Sequence, residues 1–159
     1  MDVEERLAVL ERRLQVAEDQ LDIIRLINTY GPAVDSGSSR EASELWLEDG
    51  VYNVGGVRPF NGRADIGSIF TGEPHMALVR QGVSHMMATP RITMHGDRAD
   101  AIAYSFVIVR RKEDWHVLRA SINHWALERS TEGWKVRERY NRVLDGSAES
   151  HETMRRAFV

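Results

Sequence analysis

The chain has 159 residues, with 24 acidic side chains, 21 Lys or Arg, a net charge of −3 and no cysteine. That length suits one domain with a core large enough to fold without disulfides or metal, and the composition leaves no thiol nucleophile, no thiolate zinc site and no charge surplus for nucleic acid or an anionic membrane. No apolar run approaches the roughly 18 residues of a membrane span, and the charged opening MDVEERLAVLERR reads against a signal peptide, so a soluble cytoplasmic protein is expected.

Residues 2–29 read as one helix, because Val3, Leu7, Leu10, Leu14, Ala17, Leu21 and Ile24 recur in steps of four and three. The stripe either lies on the domain's own core or, over residues 2–18, projects and pairs with another subunit. Residues 1–19 thus form an extension continuous with the first helix. Gly31-Pro32 predicts a kink or restart between Tyr30 and Asp35, since proline removes the backbone bond to Asn28 and disfavours helical geometry at residue 31. Ser38 with Glu41 is a capping-box pattern and predicts a second helix over 39–48. A short strand at 51–54 follows, then a loop marked by Gly55, Gly56, Pro59 and Gly62, then a third helix over 63–70. Residues 71–82 have no clear period and are expected to form a loop with a helical turn.

From Val83 the period becomes two, and strands are expected at about 83–94, 98–110, 116–128 and 134–143. Their connections are short enough to join antiparallel neighbours. On the second strand Ile102, Tyr104, Phe106 and Ile108 share one face and Ala101, Ala103, Ser105, Val107 and Val109 the other. Both faces are apolar, so one should meet the helices and the other a partner subunit or a second layer. Pro90 requires a bulge or a sheet edge. Residues 146–159 form a weakly helical tail. Helices followed by an antiparallel meander give an α+β layout, in which a strongly curved sheet closed by the early helices encloses a concave apolar pocket.

Six histidines are present: His75, His85, His95, His116, His124 and His151. None pairs at the i, i+4 spacing of a helical zinc motif, so no metal site is expected. No GxSxG, GxGxxG or P-loop motif occurs. The best constellation joins Asp35, at the end of the first helix, to His85 on the first long strand. A carboxylate that holds one ring N–H leaves the other nitrogen to take a substrate proton. Against this stand a satisfied strand histidine and a helix-end acid. Trp46, Met87, Phe106 and Trp125 read as core or pocket wall. Asn123 and His124 alternate, so only one of them can face a cavity.

The run LDIIRLINTYGPAVDSGSSREASELWLEDGVYNVGG resembles the opening of the SnoaL-like enzymes of the NTF2-like superfamily, with Tyr30, Asp35 and the segment Leu47–Tyr52 at the matching places. The resemblance continues through Phe60-Asn61-Gly62, His85, Gly96-Asp97-Arg98-Ala99 and Gly133-Trp134-Lys135-Val136 to Arg139, and spans residues 20–145. Within the superfamily the chain looks closest to the scytalone dehydratase, bile-acid dehydratase and hexachlorocyclohexane dehydrochlorinase group. The resemblance implies a cone-shaped α+β barrel. It implies Asp35 and His85 as the base pair, Tyr30 as a donor to a carbonyl or leaving group, and Arg139 as the cationic pocket residue. It also implies no cofactor and a homodimer or homotrimer. Two departures are visible. Gly31-Pro32 replaces the usual small helical residues, and the stretch 101–109 lacks the acid of the bile-acid enzyme, with Tyr104 or Ser105 in its region.

The expected activity is a lyase of dehydratase type, or an isomerase, acting on a small hydrophobic cyclic hydroxy or carbonyl compound such as a polyketide, sterol or terpenoid. Trp46, Met87, Tyr104, Phe106, Asn123, His124 and Trp125 are the candidate substrate contacts. The alternatives are a non-catalytic small-molecule-binding or accessory protein with the same cone, and an assembly protein that acts through its heptad helix. Hydrogen-bond contact between Asp35 and His85 inside a cavity separates the first from the other two.

Overall fold

The structure is a computed structural model and describes residues 1–159. Helix α1 runs unbroken over Val3–Asp35. A reciprocal cap opens it, Asp2 accepting from the Glu5 amide at 2.8 Å and Glu5 from the Asp2 amide at 3.0 Å. The break expected at Gly31-Pro32 does not occur. Asn28, whose carbonyl loses its partner at Pro32, is exposed to water, and the helix has only three residues left to run. Gly31 serves packing instead. A β-carbon there would lie 2.3 Å from the His85 carbonyl oxygen, so glycine lets the helix backbone press against the strand that carries this histidine.

Helix α2 is only Ser39–Ser43, and strand β1 (Trp46–Asn53) starts where the sequence predicted helix. The expected capping box does not form, and the Ser38 hydroxyl meets that of Ser36 at 2.9 Å. Sheet pairing overrides the helical pattern here. The Leu45 carbonyl accepts the Val136 amide at 2.8 Å, and Trp46 lies opposite Val136. Strand β2 (Phe60–Asn61) pairs with β1, and α3 (Gly62–Thr71) follows as expected. Residues 71–82 are a further correction, because Glu73–Gln81 forms a regular helix, α4, with Pro74 in its first turn.

The strand expected at 83–94 is split into β3 (Val83–Met87) and β4 (Arg91–His95), with Pro90 between them. Both pair antiparallel with β5 (Arg98–Arg111), so they form one interrupted edge, as proline requires. Strands β6 (Asp114–Ser130) and β7 (Gly133–Val143) complete a seven-stranded sheet of order β2-β1-β7-β6-β5-β3, antiparallel except for the β1–β7 pair. Helix α5 (Ala148–Arg155) and a 3₁₀ turn (Arg156–Phe158) contact the outer face.

The core fills the concave side. Ile23, Ile27, Tyr30 and Val34 of α1 and Ile66 and Phe70 of α3 pack on Trp46, Trp125, Leu127 and Val136 of the sheet. Each such side chain contributes about 1.5–3 kcal/mol on leaving water. The small face of β5, Ala99 through Ser105, lies on this crowded inner side.

Asp19 is where α1 enters the domain. It is buried, and it accepts from Arg129 at 2.6 Å, Trp134 at 3.1 Å and Gln15 at 3.2 Å. The Arg129 bond, foremost, holds its carboxyl below the usual carboxylate range against the opposing effect of burial. Before Asp19 the helix leaves the domain, and Val3, Leu7, Leu10 and Leu14 are 55–78 % exposed. No helix is long and apolar enough to cross a membrane.

Candidate active site

Between α1, α3, α4 and the concave face lies a cavity of about 690 Å³, lined by Tyr30, Tyr52, Phe70, His75, His85 and Arg119 among otherwise apolar side chains. That volume lies within the range of small-molecule sites. His85 sits on the edge strand β3, so its backbone N–H is not taken by the pairing with β5. The Asp35 carboxylate, at the end of α1, accepts that N–H at 2.7 Å and the ring Nδ1 at 2.5 Å. A carboxylate only accepts, so Nδ1 carries the proton and Nε2 remains the free, basic nitrogen. Both side chains are largely removed from water.

Tyr30 and Asp35 need no kink to reach the same histidine. Asp35 takes the Nδ1 side from the helix end, while the Tyr30 ring stands edge-on to the imidazole with centroids 6.2 Å apart. Burial foremost, reinforced by the neighbouring Tyr52 phenol, pushes the Tyr30 hydroxyl well above its ordinary range, and Arg139 only partly offsets this. Tyr30 is therefore a neutral donor at neutral pH.

Arg139 is buried behind the two tyrosines and does not line the cavity. Its guanidinium lies 4.1 Å from the Trp125 ring, 4.2 Å from Tyr30 and 4.8 Å from Tyr52. Nε and Nη2 donate to Asn123 Oδ1 at 3.0 and 2.8 Å, and Nη1 finds no acceptor. No carboxylate neutralises it, so the aromatic faces carry the charge. Asn123 also accepts from Asn141 at 2.7 Å and donates to Ser105 at 2.8 Å, which locks this layer beneath the cavity floor.

The family-level comparison agrees with this architecture. The SnoaL-like domain profile matches residues 15–140. The chain belongs to the SnoaL-like family. An NTF2-like protein with a cystatin-like fold from Novosphingobium aromaticivorans is 38 % identical over 93 % of this chain and 96 % of its own, with a TM-score of 0.91. Two other solved structures share the fold at lower identity. Rv3472 of Mycobacterium tuberculosis is 17 % identical, with TM-score 0.70, over 94 % of this chain and 90 % of its own. A Catenulispora acidiphila protein in complex with S-DNPA is 20 % identical, with TM-score 0.63, over 86 % of this chain and 94 % of its own. The comparison with curated proteins found no match. SnoaL-like domains bind small hydrophobic ligands, and the family includes polyketide cyclases and dehydratases.

In this SnoaL-like protein several expected contacts fall elsewhere. Tyr104, Phe106 and His124 lie on the outer sheet face. Tyr104 donates to the Met154 sulfur at 3.6 Å, and His124 bonds Asp100 at 2.6 Å and Arg156 at 3.0 Å. The reason is steric, since the concave side of a tightly curved sheet accepts only the small face of β5. Asn123, not His124, points inward, but it supports Arg139 and does not line the cavity. Trp46 and Trp125 are fully buried beneath Tyr30, and Met87 packs against the core. No cluster of three metal-ligating His, Cys, Asp or Glu side chains forms.

Tyr52 and His75 line the cavity and were not singled out from the sequence. Tyr52 in β1 and Val54 just after it keep period two, a usable signal. His75 was hidden in the stretch read as loop, although Gly72 with Pro74 is a helix-start pattern. Its Nε2 lies 2.8 Å from the Val34 carbonyl, which only accepts, so Nδ1 is its free nitrogen. Its ring stands 5.7 Å from that of His85.

Proposed function

We propose that this protein is a cofactor-independent lyase of dehydratase type, or an isomerase, for a compact cyclic hydroxy or carbonyl compound. One observation carries it: the Asp35 carboxylate grips both the backbone and the ring of His85 at the wall of an apolar cavity. His124 is also paired with an acid, Asp100, on the outer face, so what marks the Asp35–His85 pair is its position at the wall of the apolar cavity. His85 Nε2 takes a proton from the carbon next to a carbonyl, and Asp35 stabilises the imidazolium that forms. Tyr30, with Tyr52 beside it, donates to the oxygen on which charge develops. Arg139 acts behind them as a positioning residue, holding both phenols by their ring faces. In elimination the β-hydroxyl leaves as water with the proton returned from the imidazolium. In isomerisation that proton returns to another carbon.

The test is turnover of a β-hydroxy cyclic ketone such as β-hydroxytetralone, which gives naphthol on losing water and is followed by absorbance. His85→Ala is expected to lower the rate by about 10²–10⁴. Equal rates in wild type and His85→Ala would leave a non-catalytic binding protein. We propose further that the exposed stripe of α1 pairs with a second copy, which makes the protein a homodimer or homotrimer.

A further inference from the structure

Six Lys or Arg side chains are partly or fully withdrawn from water: Arg63, Arg119, Arg129, Lys135, Arg139 and Arg142. Five of them have acceptors. Arg63 donates to the Trp46 carbonyl, Arg129 to Asp19, Lys135 to the Glu44 carbonyl, Arg139 to Asn123 and Arg142 to Asn53. Arg119 makes no hydrogen bond and no ion pair, and it is the one Lys or Arg on the cavity wall. Its guanidinium nitrogens stay accessible at the cavity wall, so the head group is free to take a ligand.

The backbone places it deliberately. On β6 the register shifts between Arg119, opposite Val107, and Val117, opposite Ile108, so Leu118 is the extra residue of a bulge. Bulges re-aim side chains beside functional sites. His85 lies opposite Val107 on β3, and Val107 lies opposite Arg119 on β6. The base and the unpaired cation therefore stand at two ends of one row across three neighbouring strands, with the Val107 side chain as floor. Two strand spacings separate their backbones by about 10 Å, roughly the length of a fused ring pair.

We infer that Arg119 anchors an anionic group, a carboxylate, on the substrate of this cavity, one ring system away from the carbon that gives its proton to His85. The inference rests on reading the cavity as a substrate site. A guanidinium takes a carboxylate through two parallel hydrogen bonds, and apolar surroundings strengthen the pair. The cavity would thus select cyclic acids over neutral analogues of the same shape.

Calorimetric titration of the full chain with naphthoate and with naphthamide tests this without requiring turnover. The acid is expected to bind at least about tenfold more tightly than the amide, and molar salt is expected to weaken only the acid. Arg119→Gln should remove the preference by weakening the acid, with the amide within about twofold of wild type, and Arg119→Lys should keep only part of it, since an ammonium supplies the charge without the paired donors. Arg119→Met replaces the Gln variant if circular dichroism shows that variant unfolded. His75→Gln and His85→Ala should keep the preference, which separates the arginine from the two imidazoles. His85→Ala also separates this inference from the catalytic one, since it removes turnover and not the preference. No binding of the acid, equal binding of acid and amide, or a preference that survives loss of Arg119 overturns the inference.

Discussion

Gly31 controls the dyad through a residue with no side chain. His85 is held on both sides of its backbone, its N–H by Asp35 and its carbonyl by the surface that Gly31 leaves open. Gly31→Ala puts a carbon 2.3 Å from that carbonyl, so β3 must move away from α1. The overpacking is expected to cost about 1–3 kcal/mol of stability, read by chemical denaturation. It should also lower turnover of the hydroxyketone, because Asp35 loses its grip on the imidazole. Unchanged activity would show that the close approach does not position the base. The sequence marked Asp35, His85 and Tyr30 as a set, and the geometry joins them. It could not reveal that Arg139 sits behind the phenols while Arg119 lines the wall, because each placement depends on a one-residue bulge, at Arg137 in β7 and at Leu118 in β6, which no local pattern encodes.

Elements with strong periodicity were legible, and those settled by tertiary pairing were not. Strands β5, β6 and β7 follow their expected ranges to within two residues, and helix α1 is present but runs six residues past its expected end. The 39–48 segment divides into α2 and β1 because β7 captures Trp46, an event 90 residues away in sequence. The chain's two-faced β5 left the choice of inner face open, and sheet curvature decided it for the small residues. Asp19 has a comparable role for α1, since it ties the helix to β6 and β7 through Arg129 and Trp134. Asp19→Ala is expected to cost about 3 kcal/mol, since it leaves partly buried donors without their acceptor. The pH dependence has a definite sign. The folded carboxyl is held below its unfolded value, so its contribution is full above the ordinary carboxylate range and is lost as pH falls through the folded value. Wild type should therefore lose more stability than Asp19→Ala when urea midpoints are compared between neutral and strongly acid pH. An equal loss in both would contradict the assignment.

At the level of the whole molecule, α1 extends beyond the domain by 16 residues before Asp19, Val3 to Glu18, or about 24 Å of helix. Its leucines face water in the isolated chain, and a coiled-coil seam or a neighbouring domain would cover them. Light scattering is expected to give a dimer or trimer at micromolar concentration. Leu7→Glu with Leu14→Glu should shift it toward monomer, and a wild-type monomer would contradict the proposed assembly. The architecture itself was legible because helices followed by a meander restrict the layout. The cavity's chemistry was legible only where two functional side chains belong to strongly patterned elements.

The central claim is that His85, held by Asp35, removes a carbon-bound proton inside the cavity. The direct measurement is proton–deuterium exchange next to the carbonyl of tetralone in deuterium oxide, followed by nuclear magnetic resonance. Wild-type protein is expected to accelerate exchange, with Asp35→Asn and His85→Ala slower by about 10²–10⁴. Exchange equally fast with His85→Ala, or no acceleration by wild type, would contradict it.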